Sequence, residues 1–167
     1  MSDTTSVDLY VLKIHEEFIR DLYSDYDPYQ EQYFKPNDED LIVQFSFEEV
    51  SYGELHDLDI LEEQGISYTV DWGMGYEVSQ GSMSLRYDAE GNTVKSTYYE
   101  DEMNIPYLEL AKILKSDKPL TTIKERVNEM QRISTPLPWA DQDQNAKIYL
   151  TRKLIGANNE CDSTESP

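Results

Sequence analysis

Basic residues, histidine and cysteine are scarce in this chain. Its 167 residues carry 14 Lys and Arg against 34 Asp and Glu, a formal net charge of -20, with two histidines and one cysteine. So few cations speak against direct binding to nucleic acid or to an anionic membrane, because phosphate would be repelled. The lone Cys161 excludes an internal disulfide, and with no Cys/His cluster a zinc site is not expected. No stretch approaches 18 consecutive apolar residues, and the start Met1-Ser-Asp-Thr-Thr-Ser-Val-Asp8 has neither a basic region nor an apolar signal core. The expectation is a cytoplasmic protein with no membrane span, cofactor or metal.

Catalytic chemistry is equally thin. His15 and His56 each neighbour acidic residues inside expected helices, where solvation or local hydrogen bonding accounts for them. Asp38-Glu-Asp40 lacks the ligand spacing and glycine of a calcium loop, and reads as a solvated turn. Gly73-Met-Gly75 lacks both the third glycine of a dinucleotide loop and the Gly-Lys-Ser/Thr ending of a phosphate loop. The chain is therefore not expected to be an enzyme.

What is present is acidity, unevenly placed. Residues 1–100 hold 23 Asp and Glu against 5 Lys and Arg, whereas residues 101–167 hold 11 against 9. A folded protein of this mass exposes roughly 8,500 Å². Even spreading would give about one carboxylate per 250 Å², against about one charge per 110 Å² on duplex DNA. Concentration on one face would approach the DNA value. Tyrosine is also abundant, at 13 residues, and supplies apolar area with a hydroxyl, which argues against an acidic disordered chain.

The pattern predicts one α+β domain over residues 1–157, with a disordered acidic tail at 158–167. Val11, Ile14, Phe18 and Leu22 recur at three- and four-residue spacings and predict a helix from about residue 7 to 26. Glu17, Asp21 and Asp25 form an acidic row on it. Asp27-Pro28 ends that helix, a short aromatic segment and an acidic turn at 35–40 follow, and residues 41–47 read as a strand. Ser51-Tyr-Gly-Glu54 has capping-box spacing and predicts a second acidic helix at about 52–64, stopped by Gly65. Strands are expected at 66–72, 76–78, 82–87 and 93–99, the last two joined by a hairpin loop at 88–92. The fold class is thus a curved, mainly antiparallel sheet of about four to five strands with acidic helices packed on it.

The last third predicts helices from about 104–106 and from 121 or 122, a break at Pro136 and Pro138, and a final helix or strand at 145–155. It carries the basic patch Lys112, Lys115, Lys118, Lys124 and Arg126, which suits a second copy's acidic face or water. A homodimer is compatible with this.

The expected partner-binding set is Glu17, Asp21, Asp25, Glu54, Asp57, Glu62 and Glu63, with Trp72, Met74 and Tyr76 as an apolar contact inside the acidic border. A core position for Trp72 is the simpler alternative. In its acidic helices, small size and aromatic content the chain resembles phage- and plasmid-encoded DNA-mimic proteins, including anti-restriction and anti-CRISPR inhibitors. That resemblance implies an inhibitor occupying the basic groove of a host-defence or DNA-processing protein. An immunity protein neutralising a nuclease toxin, or a non-enzymatic acidic adaptor, fits the same residues.

Overall fold

The computed structural model describes residues 3–26, 30–34 and 42–161. Six strands form one antiparallel sheet in the order β2-β3-β1-β4-β5-β6. They are β1 (Thr4–Leu12), β2 (Gln30–Phe34), β3 (Ile42–Ser51), β4 (Tyr68–Trp72), β5 (Gly81–Tyr87) and β6 (Thr93–Tyr99). The helices are α1 (Glu16–Leu22), α2 (Leu58–Glu63), α3 (Tyr107–Ile113), α4 (Pro119–Ser134) and α5 (Gln142–Cys161). The expected α+β class is therefore present, including a C-terminal helical segment.

The first element differs from its expected form. Val7, Leu9 and Val11 alternate with Asp8 and Tyr10, and this period of two places the three aliphatic residues in the core. β1 pairs with β3 on one side and β4 on the other, so long-range hydrogen bonding outweighs the competing helical spacing. The helix that follows is only α1, and it buries Ile19 on its inner side while Ile14 and Phe18 stay exposed. Asp25 belongs to the turn after α1 rather than to the helix.

α2 is likewise shorter than expected. Ser51 is still the end of β3, and the Glu54 amide donates to the Ser51 carbonyl in a tight turn, so the capping box does not form. Gly65 does adopt positive φ and ends the segment. Residues 76–78 are a loop instead of a strand, and α5 is helical through Cys161, four residues into the expected tail. Asp27, Pro28, the 35–40 turn and residues 162–167 lie outside the described residues.

Register divides the sheet into two faces. One carries the rows Phe47-Val7-Trp72-Gly81-Tyr99, Phe45-Leu9-Val70-Met83-Thr97 and Val43-Val11-Tyr68-Leu85-Lys95. It is the apolar face. α1 packs on it through Ile19 and Tyr23, the Tyr23 ring lying 5.3 Å from Phe47. The 52–66 segment containing α2 adds Leu55, Leu61 and Ile66 to the same cluster.

The opposite face is polar, with rows Ser46-Asp8-Asp71-Ser82-Tyr98 and Gln44-Tyr10-Thr69-Ser84-Ser96. The end of α4 and the 135–139 segment lie against its β5–β6 edge. There the Ser96 hydroxyl donates to the Ile133 carbonyl, and Arg86 donates to the Leu137 carbonyl at 3.2 Å.

Candidate functional site

Because α1 and the 52–66 segment cover the same apolar face, their outward sides adjoin. The Tyr23 hydroxyl donates to the His56 carbonyl at 2.7 Å and ties the two covers together. That hydroxyl ionises well above its ordinary range, first because it is buried and then because Asp57 and other neighbours oppose a second negative charge. Glu17, Asp21 and Asp25 are exposed on α1 and its turn, and Glu54, Asp57, Asp59 and Glu63 on the adjoining segment. The structure thus brings the two predicted acidic groups onto one side of the sheet. Glu62 is the member held back, since Lys95 Nζ lies 2.6 Å from its carboxylate.

This cover does not reach across the whole apolar face. Beyond Leu58 the rows over β4, β5 and β6 are left open as a groove of about 810 Å³, within the size range of ligand pockets. Its floor is Val70, Trp72, Met83, Thr97 and Tyr99, with Leu55 and Val78 on the walls. Glu54, Glu77, Asp101 and Glu102 stand around it.

Gly81 explains the aromatic floor. It pairs between Trp72 and Tyr99, and a Cβ there would sit 2.4 Å from Trp72 Cζ2. The indole therefore lies over the glycine and meets Tyr99 edge to face, with ring centres 5.7 Å apart. Gly53, at φ 69, lets the 52–58 wall approach within contact of Trp72.

The groove walls are tied together. Trp72 Nε1 donates to the Ser79 carbonyl at 2.9 Å, the Ser79 hydroxyl donates to Asp101 at 3.1 Å, and the Glu100 amide donates to the Gln80 carbonyl. The Asp3 carboxylate accepts the backbone amides of Glu77 and Tyr76, which hold its pKa below the usual carboxylate range. Trp72 is only 9 % exposed, so it is a core residue whose ring also floors the groove. Met74 and Tyr76 project from the next loop at 73 % and 95 % exposure and, unlike Trp72, do not line the groove.

Sequence reasoning missed Tyr99, Thr97, Glu77, Asp101 and Glu102. Gly81, immediately before the strand expected at 82–87, was the available signal, since a glycine in a strand marks a close approach by another side chain.

His15 is half-buried, and burial lowers its pKa against a smaller opposing pull from Asp143. His56 is exposed at the groove margin. Among the described residues, no three His, Cys, Asp or Glu side chains are grouped to hold a metal ion, and no helix is long and apolar enough to cross a membrane.

On the opposite face Asp8 and Asp71 stand directly across from one another. Burial, and then the Asp8 charge, raise the Asp71 pKa against a lowering hydrogen bond from Ser82. A raised carboxyl pKa means that the native state keeps its proton to higher pH than the unfolded chain does. The stabilisation is present in acid and is lost as pH climbs through the raised value. Asp71→Asn should therefore raise the melting temperature at pH 7, with the gain vanishing near pH 4, where the unfolded carboxyl also protonates. Thermal unfolding across that range checks this, and a lower melting temperature at pH 7 would contradict it.

No protein-family model, curated protein or solved structure matches the chain.

Proposed function

We propose that this protein is an inhibitor that docks its acidic face on the basic nucleic-acid-binding surface of another protein and so excludes nucleic acid. The observation that supports this reading is the placement of α1 and the 52–63 segment on one sheet face with their carboxylates outward. Such a face presents the charge that Lys and Arg in a nucleic-acid groove are arranged to neutralise. Attraction speeds encounter, and closer contacts then slow dissociation. Inhibition on this mechanism is occlusion, with no bond made or broken.

Charge segregation fits the same reading. Lys112, Lys115, Lys118, Lys124 and Arg126 all lie on or between α3 and α4, outside the acidic cover. A partner's cations then meet few competing cations on the docking side.

The test is capture on immobilised protein at about 50 mM and 200 mM salt, followed by elution with duplex DNA. The expected result is a DNA-binding protein retained at the lower salt and displaced by DNA. A retained partner that duplex DNA leaves in place would reject nucleic-acid competition. Retention of a single secreted nuclease toxin, with loss of its cleavage activity, would assign the same surface to immunity.

A further inference from the structure

We infer that the groove beside the acidic helices receives an arginine-bearing loop of the cationic partner. This deepens the docking proposal and rests on it. The sheet is wider than its helical cover, which leaves Trp72, Met83, Thr97 and Tyr99 as an open floor. An open apolar floor invites a ligand, and the rim decides its charge.

Among the described residues, four carboxylates elsewhere in the fold have cationic partners. Lys13 and Arg20 hold Glu16, Lys95 holds Glu62, Arg132 holds Glu129, and Lys147 holds Asp143. Among the described residues, no Lys or Arg forms an ion pair with Glu54, Glu77, Asp101 or Glu102. Four charges around one cavity repel phosphate and any other anion, and a neutral ligand would leave them uncompensated. The complementary ligand is a cation.

Guanidinium fits this site better than ammonium. It is planar and weakly hydrated, stacks on aromatic rings, and donates in pairs to carboxylates. The Trp72 and Tyr99 pair offers ring surface, and the surrounding acids offer acceptors. A Lys ammonium would surrender more hydration on entering between Val70, Val78 and Met83. The hydrogen bonds of Trp72 to Ser79 and of Ser79 to Asp101 hold the walls in place before a ligand arrives, which limits the ordering cost of binding.

The probes are two seven-residue peptides, acetyl-Gly-Ser-Arg-Gly-Arg-Ser-Gly-amide and its counterpart with both arginines replaced by lysine. Calorimetry should show the arginine peptide binding about fivefold tighter, with a change in tryptophan emission from Trp72. Thr97→Trp fills the floor from an exposed edge-strand position, and Tyr99→Leu removes the ring while keeping bulk. Each should abolish the arginine preference.

Charge reversal of Glu17, Asp21 and Asp25 together should weaken both peptides alike and preserve the preference. Equal binding of the two peptides to the unmodified protein overturns the inference, as does a preference that survives both groove variants. Failure here with DNA-displaceable capture intact leaves the inhibitor reading standing. Arginine preference without such capture sinks the inhibitor reading alone.

Discussion

The combined variant Glu17→Lys, Asp21→Lys, Asp25→Lys should associate with a DNA-displaceable basic partner about tenfold or more slowly at low salt, with a much shallower salt dependence. All three side chains are exposed, so the fold should survive the change. The substitutions turn three negative charges into three positive ones on the side where α1 and the 52–63 segment adjoin. Long-range attraction acts before contact, so the loss should fall mainly on the association rate.

A matched variant, Lys112→Glu, Lys115→Glu, Lys118→Glu, changes charge just as strongly in and after α3. It should leave the association rate unchanged or slightly raised. Stopped-flow mixing over a salt series measures both. Equal rates for the first variant and the unmodified protein would remove α1 from the docking surface.

The second large effect is on stability. Arg86 is the only cation between Lys35 and Lys95, and it is 1 % exposed. Burial pushes its pKa down to about 10, which still leaves it charged at neutral pH. It donates to the Tyr68 and Leu85 carbonyls, to Thr69 Oγ1 at 2.8 Å and to the Leu137 carbonyl, while its guanidinium carbon lies 3.6 Å from the centre of the Trp139 ring. One side chain thus fastens the 135–139 segment to β4 and β5.

Arg86→Met keeps apolar length but strips donors from these buried acceptors. A loss of about 3–4 kcal/mol is expected, from about 1–3 kcal/mol per unsatisfied buried group, or roughly 8–15 °C in melting temperature. Arg86→Lys should recover part of this, because an ammonium supplies charge without the planar fork. Trp139 fluorescence should shift toward that of a solvated indole in the Met variant. A melting temperature within about 2 °C of the unmodified protein would show that Arg86 is not the fastener.

Several elements were legible from local signals. Tyr68, Val70 and Trp72 fall on one face of β4 as their alternation indicates, and Gly91 takes positive φ in the hairpin loop expected around it. The helix expected from Thr121 or Thr122 is present as α4 but opens two to three residues earlier, at Pro119, as the missing amide allows at a first helical position. β1 was not legible in the same way. Val7, Leu9 and Val11 alternate, while Val11, Ile14, Phe18 and Leu22 follow a helical period, so the same stretch supports two readings. Only the pairing of β1 with β3 and β4 selects between them. The acidic rows at Glu17, Asp21 and Asp25 and at Glu54, Asp57 and Glu63 could be read individually, but not their common face.

Net acidity and its concentration in the first hundred residues follow from composition alone, because formal charges add whatever shape the chain takes. So does the scarcity of thiol and imidazole ligands. Which carboxylates become neighbours, which one is cancelled by Lys95, and how Gly81 sets Trp72 against Tyr99 were decided only by strand register and by how far the helices reach over the sheet. Those relations join residues far apart in the chain, and no local spacing encodes them.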